Sequence, residues 1–317
     1  MNEQRPTNVS VIDPISPAIE RAKTMLFRPF DLGKWFVIGF CAWLAYLGSG
    51  GGRAPHGNFS FGDGRRGLEA QEVLHEAREF VLENVYWIIP VAVLAVLVGV
   101  VLWLVITWLN SRGRFMFLHC VVHNKAEVKI PWTRFREHAN SLFLFRIVLG
   151  LIGFVAIALP VVLSLILVVA IVSAGVPAAG PIIGIVFLVL WIIAISICLG
   201  LIGMFTMHFV VPIMFLRTTS IRVAWRAFLT ILSVNKARLL LYLLFQFVIG
   251  LTIGMIILAG VCITCCCLAC ILGIPYIGTV IMLPVLVFKR SYSLYYLRQF
   301  GPQFDVFSTE LVEAQPA

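Results

Sequence analysis

Residues 262–270 of this 317-residue chain read CITCCCLAC, which places five cysteines within nine positions. On one continuous helix, four of these cysteines would share an arc of about 140°. The four are Cys262, Cys265, Cys266 and Cys270. Four thiolates on one face are candidate ligands for a soft metal ion, although one helix cannot surround an ion tetrahedrally. Small cysteine side chains also suit close helix packing in lipid. A packing face, a metal or redox site, and S-acylation all remain open.

His119 and His123 lie four residues apart in HCVVHNKAE, residues 119–127, and would share one face of a helix. Two histidines at this spacing can bind zinc or iron, and His138 is available as a third ligand. The segment lacks the HExxH pattern, in which a glutamate between the histidines acts as the base. These three histidines are a candidate metal site, with juxtamembrane polar residues as the alternative.

Other signatures of catalysis are missing from the sequence. There is no GxSxG, no GxxxxGK[ST] and no GxGxxG after a strand. The long apolar runs contain no Asp or Glu, so they offer neither an acid–base pair nor a carboxylate for a proton path. We therefore expect no catalytic residue and no cofactor, and a proton-coupled transporter is disfavoured.

Hydrophobic residues make up 61% of the chain and charged residues only 12%. Five of six apolar runs exceed the roughly 20 residues that cross a bilayer, and the first run is short and must borrow from Leu32 or from Gly48 onward. They cover residues 35–47, 85–109, 142–172, 182–216, 239–272 and 274–296. The sequence therefore predicts an all-α, polytopic bundle of six transmembrane spans.

Lysine and arginine residues indicate how these spans are oriented. They concentrate before the first run, in the second and fourth loops and after the last run, whereas SAGVPAAGP and GIPYIG contain none. By the positive-inside rule both termini face the cytoplasm. The predicted parts are a cytoplasmic segment with an amphipathic helix (1–34), a membrane domain (35–300) and a cytoplasmic tail (301–317). The net charge of +9 follows this distribution, so we expect no nucleic-acid partner.

The predicted external loop, residues 48–84, has two parts. Residues 49–67 are glycine-rich, and residues 68–84 carry apolar side chains at helical spacing opposite a row of glutamates. The second part is either a solvated helix packed on the bundle or a docking site for an external protein partner.

Three short amphipathic segments precede the first, third and fifth spans, at residues 16–30, 130–143 and 222–240. Such elbows lie in the headgroup plane, with tryptophan at the interface and arginine near phosphate. Membrane lipids are thus the expected partners. The candidate lipid-interface residues are Trp132, Arg134, Trp225, Arg226, Lys289 and Arg290. Repeated units of this kind occur in transporters, and they also arise by duplication of an anchoring unit.

Four stretches carry a family resemblance: LFRPFDLGKW (26–35), NSRGRFMFLHCVVHNKAEVKIPW (110–132), HFVVPIMFLRTTSIRVAW (208–225) and IPYIGTVIMLPVLVFKRSYSLYYLRQFGPQFDVF (274–307). They resemble an uncharacterised family of bacterial polytopic membrane proteins, a domain of unknown function. The architecture is more distantly similar to the membrane domain of glycerophosphoryl diester phosphodiesterases, whose catalytic domain has no counterpart here. The resemblance implies a fold and a bacterial inner-membrane location, and it carries over no catalytic residue.

Three functions follow as hypotheses. The first is a non-enzymatic inner-membrane protein that organises lipid or binds partner proteins, because amphipathic surface is plentiful and intramembrane chemistry is scarce. The second is a transporter or channel for a neutral or lipid-like substrate. The third is a metal-dependent membrane enzyme built on the three histidines.

Overall fold

The computed structural model describes residues 9–48, 84–174, 179–264 and 267–307, and every regular element within them is helical. In chain order the helices are α1 (Ile15–Phe27), α2 (Leu32–Tyr46), α3 (Val85–His123), α4 (Lys129–Arg134), α5 (Arg136–Ala174), α6 (Ala179–Phe205), a π turn (Thr206–Val210), α7 (Val211–Arg217), α8 (Ile221–Val234), α9 (Lys236–Ile263), α10 (Cys267–Gly273), α11 (Ile277–Ile281), α12 (Leu283–Arg298) and a 3-10 turn (Pro302–Phe304). The all-α prediction is confirmed.

Among the residues that the structure describes, four helices are long and apolar enough to cross a bilayer. They are Tyr86–His123 in α3, Arg136–Val169 in α5, Ile183–Arg217 through α6 and α7, and Lys236–Ile263 in α9. At most 11% of the most apolar 18-residue window in any of them is buried within the protein. Because an apolar surface of this extent needs a lipid cover, these helices indicate a membrane protein.

Six spans are not confirmed, since the first and last predicted runs form shorter helices. The first run becomes α2, which has 15 residues. The last run is divided between α11 and α12. Pro284 lies in the first turn of α12, where backbone amides have no partner within the helix, so proline fits there without loss of a hydrogen bond. Most of α12 packs inside the protein instead of facing outward.

The fifth predicted run, 239–272, contains a helix break. Helix α9 ends at Ile263, and the next helix begins at Cys267. The hydroxyl of Thr264 accepts a hydrogen bond from the amide of Leu268 at 3.2 Å, as a capping side chain does at the start of a helix. The continuous helix assumed for the four-cysteine arc is therefore interrupted.

The packed core lies at one end of the long helices, beside the basic loops. Its largest buried side chains come from the end of α3, the π turn, α8, the start of α9, and α12. They include Phe115, Phe117, Phe209, Phe228, Tyr242, Tyr292 and Tyr296. The opposite halves of the long helices expose leucine, isoleucine, valine and phenylalanine. The molecule thus has a protein-packed end and a lipid-exposed end.

Helix α2 crosses α3 at Gly113. A Cβ atom at this position would lie 2.5 Å from the backbone nitrogen of Ala45 and 2.5 Å from the carbonyl carbon of Leu44. Only glycine permits this approach. One turn earlier, Nδ2 of Asn110 donates to the carbonyls of Ala45 at 2.8 Å and Leu47 at 2.7 Å. The end of α2 is thereby fixed to α3.

Short helices occupy all three predicted elbow positions, as α1, α4 and α8. Helix α1 packs against α12, and Arg21 on it donates to the carbonyl of Val121 at 3.1 Å and to that of Val122. Helix α8 buries Ile221, Ala224, Phe228 and Ile231 on one face. The helical, amphipathic character is as predicted, and the position of these helices in the headgroup plane stays a prediction.

Candidate functional site: an arginine-lined cavity

A π turn interrupts the helix formed by α6 and α7. Such wide turns leave a backbone carbonyl without its usual helical partner and occur frequently at functional sites. Here Nη1 of Arg290, on α12, donates to the carbonyl of Met207 in the turn at 2.6 Å. The turn therefore draws a cationic side chain into the packed end of the bundle.

The π turn also positions His208 in a buried polar network. Nε2 of Gln246 donates to the hydroxyl of Tyr242 at 2.8 Å, and that hydroxyl lies 2.6 Å from Nδ1 of His208. The hydroxyl can donate its proton to Nδ1 when His208 is neutral and protonated at Nε2. Tyr242 is fully buried.

Asn110 holds two arginines on the other side of the turn. Its Oδ1 accepts from Nε of Arg114 at 2.7 Å and from Nη1 of Arg146 at 2.6 Å. Its amide nitrogen is occupied by the end of α2, so the orientation of the amide is fixed by four hydrogen bonds. Two guanidinium groups from α3 and α5 therefore converge on one point.

These two arginines line one end of a cavity of about 670 Å³. The rest of the lining is almost entirely apolar and comes from α5 and α6. It includes Leu149, Gly150, Gly153, Phe154, Ile157, Val161, Leu199 and Gly203. Phe154 is 69% exposed, so the cavity reaches the outer surface of the helices. The result is an amphipathic cavity with an apolar body and a cationic end.

The dimensions of the cavity match one leaflet of a membrane. From Leu149 to Val161 the lining follows α5 for about 18 Å at 1.5 Å per residue. This is slightly more than half of the roughly 30 Å hydrocarbon core of a bilayer. Arg114 lies just beyond the apolar run 85–109, and Arg146 lies near the start of 142–172. The cationic end therefore lies where two long apolar runs begin or end.

The positive charge at this end has no carboxylate partner among the residues that the structure describes. The ion pairs there involve other groups: Glu20 with Arg28, Glu127 with His119, and Asp305 with Arg298. Buried or half-buried cations without a counter-ion are costly, so the arrangement favours a bound anion.

Residues 9–282 match a family described as "Family of unknown function (DUF7544)". The chain belongs to this family. The comparisons with curated proteins and with solved structures returned no match. Membership in DUF7544 agrees with the predicted resemblance to an uncharacterised family, and it assigns no activity.

The candidate histidines of this DUF7544 member are only partly brought together. The rings of His119 and His123 stack with centroids 4.3 Å apart, and Nε2 of His119 lies 3.7 Å from Glu127 Oε2. His138 lies against the rings of Phe115 and Phe135. Across the described ranges, no three His, Cys, Asp or Glu side chains form a group that could hold a metal ion. The histidine site stays a prediction without geometric support.

The cysteine cluster is only partly described. Cys262, at the end of α9, and Cys270, in α10, are exposed and lie on either side of the helix break. Cys265 and Cys266 lie outside the described residues. So does nearly all of the external loop, including the predicted acidic helix 68–84 apart from Asn84.

The six predicted lipid-interface residues fall into two groups. Arg134 and Arg226 are exposed, as an interfacial role requires. The others pack more closely. Trp132 and Trp108 enclose the Arg112 guanidinium at 4.7 and 4.4 Å, Trp225 contacts Phe145 and Phe228, and Lys289 and Arg290 are half-buried on α12.

Sequence reasoning did not identify the residues that organise the cavity and the buried polar network at the π turn. Asn110, Tyr242 and Gln246 lie at or within the ends of apolar runs, and a polar side chain in such a place is itself a signal of function. Arg146, near the start of the run 142–172, donates from its guanidinium to Asn110.

Proposed function

We propose that this protein binds an anionic phospholipid in the arginine-lined cavity and acts as a non-enzymatic organiser of membrane lipid. The observation that carries this proposal is the convergence of Arg114 and Arg146 on Asn110 at the end of an apolar cavity. A lipid phosphate would meet the two guanidinium groups, and one acyl chain would follow α5.

The chemistry of the two ends supports a phospholipid over a neutral or soluble ligand. Guanidinium groups bind phosphate through paired, charge-assisted hydrogen bonds. The apolar walls would leave a soluble anion with most of its polar surface against hydrocarbon. A neutral lipid would leave the two cations without a counter-ion. Only a ligand with both an anionic head and an apolar tail provides a counter-ion for the two arginines and apolar contacts for the walls.

The proposal includes an orientation and a location. We place the packed end of the molecule at the cytoplasmic face of a bacterial inner membrane, with six membrane-crossing segments and both termini inside. The basic loops support this orientation through the positive-inside rule. Anionic lipid in the cytoplasmic leaflet would then lie beside Arg114 and Arg146.

Transport of a lipid-like substrate is the second candidate, and one observation bears on it directly. Arg114 also lines an inner cavity of about 20 Å³ in the packed end. A phospholipid headgroup is several times larger than this volume. The inner cavity therefore favours lipid binding over lipid passage.

Native mass spectrometry of the full chain, extracted with its own lipids, tests the proposal. We expect the wild-type protein to retain phospholipid and Arg146→Gln to retain several-fold less. Hydrogen bonds to a charged group contribute about 1.5–3 kcal/mol each, which corresponds to roughly 10-fold or more in affinity. Thermal unfolding of both proteins would establish that the variant is folded.

The matched control is Arg226→Gln. Arg226 carries the same charge, is exposed on α8 and does not line the cavity. Equal lipid retention by Arg146→Gln and wild type would overturn the cavity as the lipid site. Equal losses in the two variants would indicate a general effect of surface charge and would also contradict the proposal.

A further inference from the structure

A second site lies behind the lipid cavity. The inner cavity of about 20 Å³ is lined by Tyr46, Arg114 and Arg290, with Phe117, Met207 and Val211 among its apolar walls. It brings together side chains from α2, α3 and α12 at the π turn. Two cationic side chains and one tyrosine therefore border one small space.

Both arginines are held in place without a negative partner. Arg114 donates from Nε to Asn110, and Arg290 donates from Nη1 to the carbonyl of Met207. The Nε atom of Arg290 is buried and has no hydrogen-bond partner within the described protein. Neither guanidinium forms an ion pair with a described carboxylate. A negative ion between the two positive charges would offset their repulsion and their cost of burial.

The size of the cavity restricts the counter-ion. A volume of about 10–15 Å³ holds one water molecule. A cavity of about 20 Å³ therefore has room for about one water-sized particle, and a monatomic anion meets this limit. Water would fill the space but would leave the two charges uncompensated.

We propose that the inner cavity binds a single halide ion, chloride under physiological conditions, between Arg114 and Arg290. This ligand and this site are separate from the phospholipid and its cavity. The two sites share Arg114, whereas Arg146 lines only the large cavity and Arg290 only the small one. The bound halide would hold α12 against α3 and the π turn, so it would stabilise the packed end.

The test is thermal unfolding of the purified full chain in sodium chloride, sodium bromide and sodium gluconate at equal ionic strength. We expect chloride and bromide to raise the unfolding midpoint by several degrees, with saturation as their concentration increases. The halide-dependent rise disappears in Arg290→Gln and persists in Arg146→Gln. A wild-type protein that responds equally to all three salts would overturn the proposal, as would an unchanged response in Arg290→Gln.

Anomalous diffraction from bromide-soaked wild-type crystals keeps the test decisive if Arg290→Gln does not fold. A bromide peak between the guanidinium groups of Arg114 and Arg290 is the expected result, and an inner cavity without a peak contradicts it. Failure of the phospholipid proposal would be recognised separately, because it is measured by lipid retention in Arg146→Gln. The halide response does not depend on that outcome.

Discussion

Single hydrogen bonds determine the geometry of the packed end. The Tyr242 hydroxyl contacts both Gln246 and His208 where the core excludes water, at 2.8 and 2.6 Å, and Nε2 of Gln246 also lies 3.5 Å from Nδ1 of His208. A buried polar atom that loses its partner costs more than the hydrogen bond contributes when it is formed. This network should therefore be sensitive to removal of one atom.

Tyr242→Phe tests that sensitivity. We expect the free energy of unfolding to fall by about 1–3 kcal/mol, because His208 and Gln246 each lose their partner in the core. Chemical denaturation in detergent would measure the change. Tyr86→Phe is the control, since Tyr86 is 82% exposed on α3. Equal stability of the two variants would show that the network contributes nothing.

Gly113→Ala tests the crossing of α2 over α3. The added methyl group would meet backbone atoms at 2.5 Å, so the helices must separate, and we expect a loss of about 1–3 kcal/mol and a lower unfolding midpoint. Gly203→Ala is the matched control, because a Cβ added at Gly203 would meet no neighbouring atom within 4 Å. An unfolding midpoint for Gly113→Ala at or above that of Gly203→Ala would contradict the crossing.

Residue types in the sequence indicated some of these roles and not others. Polar residues in apolar surroundings were visible at Asn110 and Gln246, but their partners lie on other helices and cannot be read from spacing along the chain. Arg290 looked like an interfacial residue because it follows Lys289 at the end of an apolar run. Its contact with Met207 depends on a π turn, and no residue pattern in the sequence predicts that turn.

At the level of elements, glycines form the open wall of the groove between α5 and α6. Gly150, Gly153 and Gly203 line the cavity, and at Gly203 no atom lies within 4 Å of a Cβ position. The groove is thus kept open by the absence of a side chain. A large apolar side chain at this position would occupy the space proposed for the acyl chain.

Gly203→Leu should reduce phospholipid retention several-fold without lowering stability, because it fills existing space and replaces a helical glycine. Gly99→Leu is a close control: Gly99 is also on a candidate span, and it too has nothing within 4 Å of a Cβ. Lipid bound per protein, measured after extraction, distinguishes the two. Equal retention would indicate that the acyl chain lies elsewhere.

The element boundaries show what periodicity and composition can predict. The second, third and fourth apolar runs correspond to long helices, because length and hydropathy alone specify them. The breaks at Thr264 and near Met282 were missed, since they fall inside uninterrupted apolar sequence. There the local signals are the Thr264 hydroxyl and Pro284, and both residues are also tolerated within membrane helices.

For the whole molecule, the separation between a packed end and a lipid-exposed end coincides with the charge asymmetry. The sequence predicted which side is basic, but it did not show that the same side contains the core. The core depends on α12 and α1, which come from opposite ends of the chain and pack against each other. Local composition does not predict such long-range pairing.

Cysteine labelling tests the proposed orientation. In a cysteine-free background, Lys125→Cys should react with a membrane-impermeant maleimide only from the cytoplasmic side, and Tyr86→Cys only from the outside. Both positions are exposed; Tyr86 lies at the start of α3, and Lys125 follows the end of that helix at His123. Labelling of the two positions from the same side would contradict the orientation.

The most direct measurement of the central claim is photocrosslinking with an anionic phospholipid that carries a diazirine on its acyl chain. Mass spectrometry of the crosslinked peptides would locate the lipid on the protein. We predict adducts within residues 149–161 of α5 and 199–207 around the π turn, and their loss in Gly203→Leu but not in Gly99→Leu. Adducts spread evenly over the exposed faces of α3, α5 and α9, unchanged in Gly203→Leu, would contradict a specific lipid site.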